Sequence, residues 1–323
     1  MTNEHFQSVM KKFSLLTSSF DCEEELRSAS FMFAHYTSVS VAEQILKSQE
    51  LWFSHPFYMN DLDELHWGMR AGFQIFPEFA QKASNSHAEA EALIKNFYHY
   101  IQHMEENTLV DTYIFCVSEH QHQNTDGTLS MWRSYANQGH GAALIFDPTK
   151  LDHVSKTPFR FAKIKYLSNP DRINFLRGKL EEWANTCRLS NFSQGELTFA
   201  AYAAFLFVKD FALMTKHIGF KEENEWRLIH TRETDPGESL IDQTGYLITP
   251  KGAEPKLKFK INSLVDEAGL KISLSQFLAL IILGPSASSP IAKKAFCRIL
   301  KGTCLETFED RVICSTIPLR PMH

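Results

Sequence analysis

The chain has 323 residues, with 33 Lys+Arg against 38 Asp+Glu, a formal net charge of −5, and it is 44% hydrophobic and 22% charged. That balance excludes a predominantly disordered chain and a globally basic nucleic-acid binder. Six scattered Cys without a C-x-x-C pair exclude a disulfide framework or a Cys-rich zinc module, so reduced thiols in a cytoplasmic protein are expected.

In chain order, residues 1–30 are polar and predict a helical lead-in, and MTNEHFQSVMKKF lacks the apolar run of a signal peptide. Phe31–Tyr36 predicts a first strand. A helix follows over Ser38–Lys47, with Ser40 and Glu43 spaced as a capping box and Val41, Ile45 and Leu46 turned inward. Leu51–Ser54 is a second expected strand, ended by Pro56, and Tyr58–Glu64 is a polar loop. Leu93, Phe97, Ile101 and Met104 then repeat at helical spacing.

Thr112–Ser118 and Gly141–Asp147 predict strands around a segment holding Asp126-Gly127 and Met131-Trp132. Phe161–Leu167 is expected as one more strand. Asn169-Pro170-Asp171 opens a helix with Ile173, Leu176, Leu180, Trp183 and Cys187 on one face. A second, apolar helix runs from about Glu196 to His217. Its most apolar stretch, Leu197–Val208, is about 12 residues against the ~20 that a bilayer needs, so it predicts a core helix and no membrane association. Trp226–His230 predicts a strand, Lys256–Lys260 an exposed edge strand, and Leu278–Leu283 a buried strand. Ser289-Pro290 caps a helix ending near Gly302, and Arg311–Ile317 is the final strand. The order is not a regular βαβ alternation, which predicts an α+β fold. Its core is a mainly antiparallel or mixed sheet over residues 31–320, with helical insertions at about 65–107 and 170–217.

Several motifs are missing: G-x-G-x-x-G, the P-loop and G-x-S-x-G. His99 and His103 lack the following Glu of a zincin, and His120/His122 lie in a polar loop. Asp61, Asp63 and Glu64 form an acidic group that suits a helix cap near Leu65, a substrate contact, or hard-oxygen ligation of Mg²⁺. Twenty-six Phe predict a large aromatic core, with a stacking site as the alternative.

Five segments stand out together: His35-Tyr36-Thr37; Leu51-Trp52-Phe53-Ser54 with Asn60-Asp61-x-x-Glu64; Met131-Trp132-x-x-Tyr135 with His140-Gly141; Phe220–Leu228 (FKEENEWRL); and Ser315–Arg320 (STIPLR). In this order they resemble the bacterial domain-of-unknown-function family 2971 over nearly the whole chain. A looser likeness carries chemistry. A strand ending in His-x-Thr, a short helix with an Ile-Leu pair and a Leu-x-x-Ser strand resemble the opening of the ADP-ribosyltransferase fold, on the side of its DNA-modifying toxins and RNA 2′-phosphotransferases. Glu223-Asn224-Glu225 resembles that superfamily's late E-x-E.

The resemblance implies an ADP-ribosyltransferase-like split sheet and NAD as cofactor. Glu225 would stabilise the oxocarbenium-like ribose as the nicotinamide bond breaks, and Glu223 would orient the acceptor. His35 would anchor a ribose, with Thr37 beside it. Tyr36 or Tyr58 would stack on nicotinamide, and Ser54 would support the cleft. Asn60 and Asp61 would sit at its mouth, and Trp132 and Tyr135 on the acceptor side. The acceptor would be a nucleic acid, a nucleotide or a protein.

Each residue also has a plainer reading. His35 and Tyr36 fit a core, Glu225 fits an ion pair with Arg227 or Lys221, and Trp132 and Tyr135 fit helix packing. Asn60-Asp61 fits a turn. Two other functions stay open: a catalytically inactive nucleotide- or nucleic-acid-binding module of the same fold, and a metal-dependent phosphodiesterase using Asp61, Asp63 and Glu64.

Overall fold

The computed structural model describes residues 3–59, 62–103, 112–151, 157–231, 234–235, 237–249, 252–265, 269–287 and 289–319. The chain is mixed α+β and divides into two compact units. One comprises residues 1–21, 56–112 and 162–221; the other comprises 22–55, 113–161 and 222–323. Numbered along the chain, the strands are β1 (Met32–Thr37), β2 (Glu50–Ser54), β3 (Tyr113–His120), β4 (Ala142–Phe146), β5 (Arg160–Lys163) and β6 (Lys165–Leu167). They continue as β7 (Thr215–His217), β8 (Glu225–His230), β9 (Thr244–Thr249), β10 (Gly252–Lys260), β11 (Leu278–Leu283) and β12 (Val312–Cys314).

The second unit is built on a sheet of order β12-β11-β4-β1-β3-β2-β10-β9, with β8 also paired to β3. The pairings along this path are antiparallel except for β11 with β12. Strand β3 is where the sheet divides. One of its edges pairs with β8 from Tyr113↔His230 to Ser118↔Glu225. The opposite edge is shared: β1 pairs with it over Met32↔His120 to Ala34↔Ser118, and β2 meets it at Ser54↔Ile114. Between those two contacts β1 and β2 part from β3.

Alternation along the strands sends successive side chains to opposite faces. Phe33, Phe53, Phe115, Val117, Trp226, Leu228, Leu257 and Phe259 belong to one buried cluster. Ala34, Tyr36, Met131, Trp132, Ala143, Ile145 and Ile282 belong to another. Most of the 26 Phe therefore need no ligand to explain them.

The first unit is helical, with long helices Leu62–Ala83, His87–His103, Asn169–Ser190 and Gln194–Met214. Asn169–Ser190 starts at the Pro-bearing signal expected of it, with Ser168 Oγ accepting from Asp171 N at 3.3 Å. Phe76 stacks on Phe97 at 3.9 Å and meets Trp183 at 5.0 Å. Gly68 permits close helix approach: a Cβ there would lie 2.7 Å from Ala212. Helix Gln194–Met214 is long and apolar enough to cross a membrane by length and composition, and its most apolar window is 78% buried within the fold. A capping box of Ser193 and Glu196 starts it.

Some expectations shift. Helix Val39–Ser48 is capped by Ser38, whose Oγ accepts from Val41 N at 3.2 Å, so the box expected at Ser40 and Glu43 is not the cap. Phe161–Leu167 is interrupted at Ile164 into β5 and β6, and the apolar helix gives way to β7 at Thr215. Lys256–Lys260 is no edge strand. It lies in β10, which pairs with β2 over Lys256–Lys260 and on its other edge with β9 over Gly252–Leu257, a strand (Thr244–Thr249) that was not expected, so Lys256 and Leu257 are covered on both sides. The last strand shortens to β12. Met104, at the end of the expected helical repeat, lies outside the described residues.

Candidate functional site

The segment FKEENEWRL is laid out by one turn and one strand. A 3₁₀ helix ends at Glu223, and Asn224 takes a left-handed conformation, φ 41°, which Asn tolerates better than most residues. Its carbonyl accepts from Glu119 N at 3.0 Å, which seats β8 against β3. From there alternation decides every role. Trp226 and Leu228 enter the hydrophobic core, and the Trp226 indole N–H donates to Glu119 Oε1 at 2.9 Å. Glu225 and Arg227 take the other face, opposite Ser118 and Cys116.

Glu225 and Arg227 are 5% and 4% exposed. Arg227 Nε donates to Glu225 Oε1 at 2.7 Å and Nη2 to Oε2 at 3.2 Å, a fork that fixes the plane of the carboxylate. Glu223 is buried as well, and its Oε1 accepts from the Tyr135 hydroxyl at 2.7 Å. Glu225 thus meets a guanidinium and Glu223 a phenol.

His35 occupies the division of the sheet. Its Nδ1 lies 2.9 Å from the Cys116 carbonyl oxygen, on the stretch of β3 that β1 and β2 leave. Its ring stacks on Phe115 at 4.2 Å. Burial, with a smaller contribution from the Lys256 charge, lowers its pKa to about 4 against the Cys116 bond that favours the charged ring. The ring is therefore neutral at pH 7. Since a carbonyl only accepts, Nδ1 carries the proton and Nε2 keeps its lone pair.

His35 and Glu225 flank the same strand: Ala34, Ser118 and Glu225 form one row across β1, β3 and β8. Two strand spacings separate the ends of that row, roughly 10 Å. They do not share a face. His35 lies with Phe115, whereas Glu225 lies on the face of Ser118.

Ser54, at the end of β2, accepts from Lys256 Nζ at 2.8 Å, and Lys256 is also 3.3 Å from Glu254 Oε2. Lys256 is buried, not a solvated edge residue. Thr37 is buried too.

Tyr36 and Trp132 are placed as framework. Trp132 is fully buried, meets Tyr36 edge-on at 4.9 Å, and donates its indole N–H to Asp126 O at 2.7 Å. The Tyr36 hydroxyl accepts from Thr128 N at 2.9 Å. Ser315 Oγ donates to Asp126 O at 2.8 Å, and Thr316 Oγ1 donates to Asp126 Oδ1 at 2.9 Å. Segments far apart in sequence thus converge on the loop at Asp126, which leads into the helix bearing Tyr135. Neither Tyr36 nor Trp132 offers an open ring face, because both serve as walls of that core. Tyr135, half-buried and bonded to Glu223, is the aromatic side chain at the site.

Tyr58 belongs to the helical unit and is 41% exposed. Asn60 and Asp61 lie outside the described residues. Glu64 is held by Arg172, whose Nη1 donates to Glu64 Oε2 at 2.6 Å while its guanidinium lies 3.8 Å over the Trp67 ring. Asp63 is exposed. Among the described residues no three metal-ligating side chains cluster.

His120, expected with His122 in a polar loop, is instead the last residue of a strand on this face. It lies on the side of Ser118 and Glu225, is 2% exposed, and its Nε2 has no hydrogen-bond partner. Burial lowers its pKa. Extending the β3–β8 register past Glu119 and Asn224 brings it opposite Glu223. In sequence it lies in HQHQ, whose polarity gives no hint of burial.

No curated protein and no solved structure matches the chain. A family model described as protein of unknown function (DUF2971) matches residues 131–228, a stretch that opens at Met131, closes at Leu228 and encloses Trp132, Tyr135, Glu223, Glu225 and Arg227, so this part of the chain is similar to that family.

Proposed function

We propose that the sheet unit transfers ADP-ribose from NAD to a nucleotide, nucleic-acid or protein acceptor. The observation that carries the reading is the face of β3 that holds Ser118, where the buried Glu225 in its Arg227 fork, Glu223 bonded to Tyr135, and His120 Nε2 without a partner lie along one edge of the sheet. The residues suit such a substrate. A buried carboxylate held in a fixed plane favours positive charge developing on a ribose, more strongly than in water. His120 Nε2 is an orphaned buried polar atom on the same face, a group that a ribose hydroxyl would satisfy.

NAD supplies the ribosyl group and the nicotinamide leaving group. Arg227 holds the Glu225 carboxylate oriented. Glu223, bonded to Tyr135, orients the acceptor and takes its proton. Tyr135 replaces Tyr36 as the stacking ring. His35, on the opposite face of β3, takes no direct part in this step.

A second reading is a nucleotide-binding module without turnover. The fork between Glu225 and Arg227 favours it, since a carboxylate matched by a guanidinium has less field to offer a cation. The phosphodiesterase reading draws no support from Glu64, whose charge Arg172 already meets.

Nicotinamide release, measured with NAD and a mixture of nucleotide and nucleic-acid acceptors, tests the proposal. Release by the wild type, lost in Glu225→Gln with NAD affinity kept, is the expected result. Undiminished release by Glu225→Gln overturns the catalytic assignment. Saturable NAD binding without release selects the binding module.

A further inference from the structure

Helix His87–His103 brings together two imidazoles that the face of the sheet unit does not use. His99 and His103 are four residues apart, so they stand one turn apart on one side of the helix. Their ring centroids are 4.0 Å apart, and the ring planes meet at 41°. Both residues are exposed. Among the described residues no carboxylate pairs with either ring.

One hydrogen bond orients the second ring. His103 Nδ1 lies 2.9 Å from the His99 carbonyl oxygen. A carbonyl only accepts, so Nδ1 donates and Nε2 keeps its lone pair. Metal-ligating histidines are held in this way: the other ring nitrogen donates to a backbone carbonyl, which fixes the tautomer and raises the basicity of the ligating one. The spacing fits a single ion. Two nitrogens bound at ~2.0–2.1 Å each lie no more than about 4 Å apart. Rings at this separation reach that span by turning about χ2, a broad torsion in histidine.

We propose that His99 and His103 chelate one late first-row divalent cation, of the Zn²⁺, Ni²⁺ and Cu²⁺ class. His103 Nε2 is one ligand, a ring nitrogen of His99 is the other, and water completes the shell at this exposed position. Imidazole nitrogen suits these ions, whereas Mg²⁺ and Ca²⁺ seek hard oxygen. Tyr100 stands where a zincin carries its glutamate base, so the pair holds an ion without the base that hydrolysis needs. The site belongs to the helical unit and is independent of the reading given to the sheet unit.

Zn²⁺ is the probe, with Mg²⁺ as the control. Calorimetric titrations of wild type, His99→Ala and His103→Ala at pH 7.5 are paired with long-range ¹H–¹⁵N spectra of the imidazoles. The expected result is one wild-type Zn²⁺ site that weakens by about tenfold or more in each variant. The His99 and His103 ring resonances should shift with Zn²⁺ and not with Mg²⁺, and His103 Nδ1 should keep its proton. Because both residues are exposed, each variant should retain the wild-type Tm. Zn²⁺ affinity unchanged in both variants, or a Zn²⁺ response confined to other rings, overturns the site. Loss of the Nδ1 proton on binding overturns the assignment of Nε2 as the ligand.

Discussion

Acid should weaken the sheet unit through His35. In the unfolded chain this histidine takes a proton near pH 6.5, whereas in the fold it stays neutral down to about pH 4. Between those values the unfolded state binds a proton that the folded state refuses, so stability falls as pH falls through that window and levels off below it. The gap corresponds to about 3 kcal/mol at most, at 1.36 kcal/mol per pH unit. His35→Gln retains a donor for the Cys116 carbonyl and removes the titration. Guanidinium unfolding of wild type and variant at pH 7, 5.5 and 4 should show the variant gaining about 3 kcal/mol relative to wild type across the series. His120 is shifted in the same direction but is present in both proteins, so it cancels. In an NMR titration the His35 ring should remain neutral at pH 5.5, and Lys256→Met should raise its pKa by removing an opposing charge. A free-energy difference that does not change with pH, or a ring that titrates near 6.5, refutes the reasoning.

Three further outcomes test the framework. Arg227→Met leaves the Glu225 carboxylate buried without its guanidinium and should cost about 3–5 kcal/mol at pH 7, with much of that recovered in Glu225→Leu/Arg227→Met, measured as a double-mutant cycle by denaturant unfolding. Gly141→Ala should prevent normal folding or expression, because a Cβ there would overlap the Thr37 carbonyl oxygen and crowd Ala136; a soluble variant with wild-type Tm would contradict this. Trp132→Phe removes the indole hydrogen bond to Asp126 O, leaving only the Ser315 hydroxyl on that carbonyl, and should cost about 1 kcal/mol for the lost bond beyond any packing loss, read in the same assay; an unchanged stability would contradict this.

Much of the architecture was legible along the chain. Periodicity and capping residues located β1, β2, β3, β4, β8 and β11, and the Asn-Pro-Asp start of helix Asn169–Ser190, since these signals are local. The E-x-E was legible as two carboxylates directly before a strand, although the strand takes in Glu225. The partners were not. Arg227 was visible as a neighbour, but Lys256 read as a solvated residue, since nothing local announces that β9 covers the edge beyond it.

The sequence by itself determined the α+β class and which residues alternate into the core, because those follow from spacing a few residues apart. Only the tertiary structure decided that Tyr36 and Trp132 are framework, that His35 and Glu225 flank β3 on opposite faces, and that His120 is buried with an unmet nitrogen. Face, depth and hydrogen-bond partner are set by which distant strand lies alongside, and that is fixed by the global fit of the sheet rather than by any residue's own neighbours.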